Sequence, residues 1–266
     1  MTAETVPGSI PWVKISACGN DFLIIEGTGM QFALPDFTRQ ICDRHTGVGA
    51  DGVEWLFATT QADIQACLIN ADGSEAEISG NGTRCVAAYL FSVHGQERIA
   101  VLTGAGVKIC AFTRREGLEF EFETGMGVPR IGGESRLKAG SREAHGIHVD
   151  LGNPHFVVFV DAFSPSCQAD AAEIQRNPVF EHGVNVEFVR VVNRDHIEIR
   201  LFERGVGETK SSGTGSCASA VAAAHTGRTN RCVRVSAPGG DQFVRRADEL
   251  FLRGPARLIC RGEYFL

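Results

Sequence analysis

Two short motifs recur at one spacing, and that recurrence limits this chain more than any other feature. Gly19-Asn20 before an apolar run reappears as Gly152-Asn153 before another, and Ser79-Gly80-Asn81-Gly82 reappears as Ser212-Gly213-Thr214-Gly215. Both second copies lie 133 residues after the first, half of the 266-residue chain. One such match is easily produced by chance, whereas two in the same frame point to a duplicated unit. The expectation is two homologous lobes, residues 1–124 and 125–266, joined near 124–130 where Gly125, Gly127 and Pro129 cluster. The last strand is a candidate to return to the N-terminal lobe. Lobes paired in this way usually make their site in the cleft between them.

Local patterns supply the elements. Asp21 to Ile25 and Gln65 to Ile69 are short apolar runs rich in β-formers, and Leu118 to Glu123 alternates strictly, as a strand with one wet face does. His155 to Val160 reads as a strand, Val186 to Val192 and His196 to Leu201 as a strand pair, and Phe243 to Leu252 and Leu258 to Leu266 as closing strands. Asp36 to Arg44 reads as a helix with Asp36 as its N-cap and Phe37 and Ile41 on one face. Cys85 to Phe91 and Ser216 to Ala224 are compact helices, each after a Gly-rich turn.

Composition excludes several classes of function. The net charge is −6, no basic run is present, and two Trp and two Tyr offer little for base stacking, so nucleic acid is not an expected partner. No apolar stretch approaches the roughly 18–20 residues of a membrane span. The opening MTAETVPGSIP lacks a secretory pattern and reads as a short disordered tail. Nine scattered cysteines, an odd number without a C-x-x-C pair, argue against a disulfide framework or a zinc site and for reduced thiols in the cytoplasm. No His/Asp/Glu set has ligand spacing, so no metal is expected. In that setting Asn81-Gly82-Thr83 is a chance glycosylation triplet.

Each S-G-x-G turn sits between a polar segment and an apolar helix. Its glycines free the backbone to aim N–H groups at a ligand, and the helix N-terminus adds partial positive charge. Gly80-Asn81 and Gly213-Thr214 therefore form two anion cradles, one per lobe, suited to gripping a carboxylate from opposite sides. The plainer reading makes Ser79 and Ser212 ordinary N-caps that start two helices. Gly47-Val48-Gly49-Ala50-Asp51-Gly52 matches G-x-G-x-x-G, but a helix precedes it and the strand-like Val53 to Phe57 follows. That is the reverse of a dinucleotide site, and the match is a decoy.

Seven blocks taken together resemble the diaminopimelate epimerase family. They are Gly19-Asn20-Asp21-Phe22, Arg44 to Gly52, Asn70 to Glu75, Gly80 to Cys85, Gly152 to His155, Glu203 to Thr209 and Gly213 to Cys217, in the family's order and spacing. The resemblance implies an α+β fold of two pseudo-symmetric lobes, each a curved mixed or antiparallel sheet wrapped around a central helix, with the site between the lobes. It implies a cofactor-independent epimerase, with no pyridoxal phosphate, that interconverts LL- and meso-2,6-diaminopimelate by moving the α-proton between two cysteines. It places Asn20, Asn70, Asn153, Asn185, Glu203 and Arg204 around a small amino-acid substrate, Arg204 pairing a carboxylate bidentately. It also makes a homodimer plausible.

At the two acid–base positions this chain departs from the family: Ser79 and Ser212 stand where the cysteines belong. Cys85 and Cys217 lie inside the following helices, where packing explains them. A hydroxyl is a far weaker acid than a thiol and acts as a base only with a neighbour's help, for which His155 and Glu203 are the candidates. The plainer roles are a hydrogen-bonded core imidazole for His155 and an ion pair with Arg204 for Glu203. Three readings follow: a diaminopimelate epimerase that uses serines, natural or engineered; a related isomerase, racemase or dehydratase acting on another amino acid; or a binding protein without turnover.

Overall fold

The computed structural model describes residues 8–27, 29, 32–139 and 142–266. The expected tail lies outside these residues up to position 7, whereas Ser9 to Pro11 already belong to a strand. The chain divides into two units, Met1–Thr124 with Gly254–Leu266, and Gly125–Arg253.

Unit 1 contains β1 (Ser9–Ala17), β2 (Asn20–Glu26), α1 (Leu34–Cys42), β3 (Gly52–Phe57), β4 (Ile64–Asn70), β5 (Glu75–Ala76), α2 (Gly80–His94), β6 (Arg98–Thr103), β7 (Gly106–Glu116) and the first part of β8 (Glu119–Gly127). Neighbours in the sheet run β1, β2, β3, β4, β6, β7, β8, antiparallel except for the parallel pairs β2–β3 and β4–β6. Parallel strands covered on both faces read as unbroken apolar runs, which is why Phe22 to Ile25 does not alternate. Phe22 and Ile24 face α2, while Leu23 and Ile25 pack with Phe37 and Ile41 of α1. Trp55 is on that second face, and its indole N–H donates to Thr38 Oγ1 at 3.0 Å.

Unit 2 contains β9 (Arg130–Ala139), β10 (Arg142–Asp150), β11 (Pro154–Phe159), α3 (Cys167–Gln175), β12 (Asn185–Asn193), β13 (His196–Glu203), β14 (Gly207–Thr209), α4 (Gly213–His225), β15 (Cys232–Ala237), β16 (Gly240–Arg246) and the start of β17 (Leu250–Phe265). Its sheet runs β9, β10, β11, β12, β13, β15, β16, β17, again with two parallel pairs, β11–β12 and β13–β15. The rest of β17 lies in unit 1, antiparallel to β1 from Ser9↔Phe265 to Ser16↔Arg257.

The 133-residue frame extends well beyond the two motifs. Helices α1 and α3 begin at 34 and 167, α2 and α4 at 80 and 213, and β3 and β12 at 52 and 185. In each unit the second helix is enclosed by the sheet. Cys85 to Ala88 pack against Ile15, Leu68, Ile99, Phe120 and Phe122, and Cys217, Ala218 and Ala220 to Ala223 pack against Val157, Ile199, Val235 and Leu252. A helix buried all round needs small apolar residues on every side rather than one stripe. Cys85 and Cys217 are both fully buried, and burial pushes the Cys85 thiol well above its ordinary range.

Two local expectations are corrected. Helix α1 starts at Leu34 after Ala33, so Asp36 is not its N-cap; Pro35 presets the first turn, and Asp36 pairs with Arg39 instead. The strand expected over 243–252 is two strands, broken where Ala247 donates to the Glu249 carbonyl, while β17 continues through Gly254-Pro255. The division between the units falls at Thr124 and Gly125, within β8, which continues to Gly127.

Candidate active site

In unit 1, Cys18 and Gly19 make the two-residue turn between β1 and β2, both with positive φ (49° and 85°), the twist such hairpins require. The turn sets Asn20 at the head of β2. Asn20 Nδ2 donates to Asp51 Oδ2 at 3.0 Å, and its Oδ1 accepts from Asn81 Nδ2 at 2.7 Å. Asn81 Oδ1 in turn accepts from Arg84, which is fully buried with its Nε and Nη1 unpartnered among the described residues. Asp51 and Asp21 share Arg44, at 2.7 and 2.6 Å, and Lys14 also reaches Asp21. Burial alone would raise the Asp21 carboxyl, but hydrogen bonds from Arg44 and Lys14 outweigh it and hold the group below the usual range. Asn20 is thus fixed by charges on one side and by the α2 N-terminus on the other.

Ser79 is the N-cap of α2, its Oγ accepting from the Gly82 N–H at 3.1 Å. Ser212 caps α4 in the same way, accepting from Gly215 N–H at 3.3 Å. The cap role is therefore real at both positions. It uses one lone pair of each hydroxyl and leaves each O–H as a donor.

In unit 2 the hydrogen bonds form a continuous line. Glu187 Oε1 lies 2.7 Å from His155 Nδ1, His155 Nε2 lies 3.1 Å from Asn153 Oδ1, and Asn153 Nδ2 donates to Thr214 Oγ1 at 3.3 Å. Thr214 Oγ1 is 3.4 Å from Ser212 Oγ. Asn20–Asn81 and Asn153–Thr214 are counterparts in the 133-residue frame. His155 is the counterpart of Phe22, so unit 1 has no imidazole there. Burial raises the Glu187 carboxyl, opposed by His155, and the Glu203 charge adds to the rise.

Other expected site residues sit apart from these lines. Asn70 donates to Ser74 Oγ at 3.0 Å, closing its own turn. Asn185 bridges the Pro154 carbonyl and the Arg204 N–H, which fixes the backbone of Arg204. The Arg204 side chain is exposed and donates to the His182 carbonyl. Among the described residues no ion pair joins Glu203 to Arg204, so Glu203 is not spent in the way the plainer reading required. Gly80 and Gly213 open the two helices, with Gly213 buried. Among the described residues no group of three or more His, Cys, Asp or Glu side chains could hold a metal ion.

Two buried acids were not singled out from the sequence. Glu54 on β3 is 3% exposed and Glu187 on β12 is 1% exposed, again 133 residues apart. The signal was present in an acid set within each of two apolar runs, Val53-Glu54-Trp55-Leu56 and Val186-Glu187-Phe188-Val189.

The family model for diaminopimelate epimerase matches residues 12–130 and 147–259. The chain belongs to the diaminopimelate epimerase family. A diaminopimelate epimerase of Pelotomaculum thermopropionicum is 36% identical over 274 residues, covering 95% of this chain and 98% of the relative. One from Corynebacterium glutamicum is also 36% identical, covering 96% and 98%. Solved structures share the fold at low identity. A phenazine biosynthesis protein of the PhzF family from Bacillus anthracis has a TM-score of 0.73 at 15% identity, covering 97% of this chain and 99% of its own. A hydroxyproline epimerase from Agrobacterium vitis has a TM-score of 0.70 at 14% identity, covering 99% and 94%. The family's two-lobed α+β fold, a sheet around a central helix in each lobe, is the one described above.

Proposed function

We propose that this chain is a cofactor-independent isomerase that interconverts LL- and meso-2,6-diaminopimelate, a step of lysine and peptidoglycan precursor synthesis. The observation that carries this reading is the near full-length match to curated diaminopimelate epimerases. The paired half-sites support it: each offers a capped serine, an asparagine bonded to the same helix turn, and a helix N-terminus. An α-proton beside an ammonium and a carboxylate is very weakly acidic, so its removal needs fixed dipoles where the charge develops. The N-termini of α2 and α4 provide such dipoles at Ser79 and Ser212.

In this reading Ser79 and Ser212 are the two acid–base groups, His155 orients and polarises the Asn153–Thr214 line, and Glu203 assists on the same side. Gly80, Asn81, Gly213 and Thr214 hold the reacting amino-acid end through backbone N–H groups. Asn20, Asn70, Asn153, Asn185, Glu203 and Arg204 hold the other end. The protein acts in the cytoplasm as a homodimer, with reduced thiols, and takes no nucleic acid or membrane as partner.

A second reading, binding without turnover, is favoured by the engagement of both hydroxyls as helix caps. Calorimetric titration with LL-diaminopimelate, meso-diaminopimelate and lysine, alongside an isomer-conversion assay, tests both readings. Diaminopimelate bound well above lysine, with conversion, is the expected result. Binding without conversion selects the second reading, and no preference for diaminopimelate removes both.

A further inference from the structure

The half-sites are built alike around one glycine each, and Gly82 shows what its absent side chain makes room for. A Cβ on Gly82 would stand 1.9 Å from Glu54 Oε1 and 3.3 Å from Ser79 Cβ, so the carboxyl and the serine both flank the same bare backbone. The Gly82 N–H is the donor to Ser79 Oγ, at 3.1 Å. A Cβ on Gly215 would likewise stand 3.0 Å from Glu187 Oε1 and 3.3 Å from Ser212 Cβ. The duplication has kept a serine, a glycine and a buried glutamate together in both halves. In unit 2 the glutamate leans on His155; in unit 1 the equivalent of His155 is Phe22.

We propose that Glu54 is the proton reservoir of the Ser79 half-site, a positioning acid that exchanges its proton with the Ser79 hydroxyl. The proposal rests on the epimerase reading above. On the delivery stroke Ser79 gives its hydroxyl proton to the substrate α-carbon and takes one from the Glu54 carboxyl. The carbon gains one proton and Glu54 is left as carboxylate. In the reverse direction Ser79 takes the α-proton while its own hydroxyl proton passes to the Glu54 carboxylate. No other bond changes and no further reagent is required.

The surroundings suit a carboxyl that stores a proton. Glu54 lies between Ile24 of β2 and Leu68 of β4 in the sheet, both apolar. The titratable side chains whose charge it influences are Cys85 of α2 and Cys67 of β4, both thiols pushed up by burial and so neutral. The nearby cation of α2, Arg84, is turned to Asn81 and Cys18. Burial raises Glu54 from 4.5 to about 8. It therefore holds its proton near neutrality and is still able to release it, as a general acid should.

Glu54→Gln and Glu54→Asp, assayed with both isomers across pH, test the proposal. For Glu54→Gln, kcat should fall by about 100-fold in line with losing a general acid, with KM within twofold and the pH limb near 8 gone. Glu54→Asp should restore part of the rate and a shifted limb. Independently of turnover, isotope-edited infrared spectra of the ligand-free protein should show a carboxylic-acid band that titrates near pH 8 and is missing in Glu54→Gln. A Glu54→Gln protein that binds diaminopimelate normally and keeps both rate and pH limb overturns the proposal, as does a wild-type protein without the band. A wild type that fails to bind diaminopimelate overturns the substrate reading instead, a different result read from a different experiment.

Discussion

In the proposed function, Ser79 and Ser212 each serve a helix cap with the same oxygen that the chemistry requires. A thiol is a poorer cap acceptor than a hydroxyl and a far better acid, so restoring cysteine exchanges some helix stability for reactivity. The double variant Ser79→Cys, Ser212→Cys should gain epimerase activity by orders of magnitude, measured as kcat/KM; no gain would count against this placement of the acid–base pair. Glu54 makes a second residue-scale prediction, for stability. Its folded-state value of about 8 lies above the unfolded 4.5, so between those limits the folded protein binds more protons than the unfolded chain. Stability is then highest below about pH 4.5 as far as this group is concerned, and declines until pH 8 by at most about 1.4 kcal/mol per unit. Glu54→Gln should flatten the fall in melting temperature between pH 5 and 8. An unchanged slope would mean that the carboxyl is not buried as described.

At the scale of elements, the entry turns of α2 and α4 depend on residues without side chains. Gly82→Ala sets a methyl group against Glu54, and overpacking of this kind costs about 1–3 kcal/mol. Urea unfolding should register that loss, and a neutral Gly82→Ala would mean that Glu54 moves aside freely. Much of this level was legible in the sequence, because S-G-x-G before an apolar helix and short β-rich runs have direct physical causes. Less legible were elements whose local signal is faint. Helix α3 has Cys167, Ala171 and Ile174 as its buried face, too weak a stripe to stand out, although the 133-residue frame makes it the counterpart of α1. The extent of β17 was misjudged for the opposite reason: Gly254-Pro255 is a strong turn signal, yet the sheet carries the strand through it. Glu54 and Glu187 were overlooked because an acid in an apolar run reads as a solvent-facing interruption until burial is known.

For the molecule as a whole, the duplication gives each unit its own run of sheet strands, a central helix and a serine capping that helix, and the C-terminal strand completes unit 1. Residues 254–266 pair with β1, place Ala256 in the α2 core and bring Tyr264 edge-on to Phe37. Truncation after Arg253 should therefore strip hydrogen-exchange protection from β1 and β2 first and leave β11 to β13 protected. Equal loss in both sets would contradict the division into units. The two-lobed plan came from motif spacing and the substrate class from the family resemblance, both carried by the sequence, whereas the hydrogen-bond lines behind Asn20 and Asn153 needed coordinates. The proposed function turns on two serines, Ser79 and Ser212, at the acid–base positions of a diaminopimelate epimerase. Its most direct test is incubation with LL-diaminopimelate in D₂O, following the α-proton signal by NMR. Slow exchange accompanied by inversion to the meso isomer is expected, abolished in Ser79→Ala and in Ser212→Ala. Tight binding with no exchange at all would contradict it.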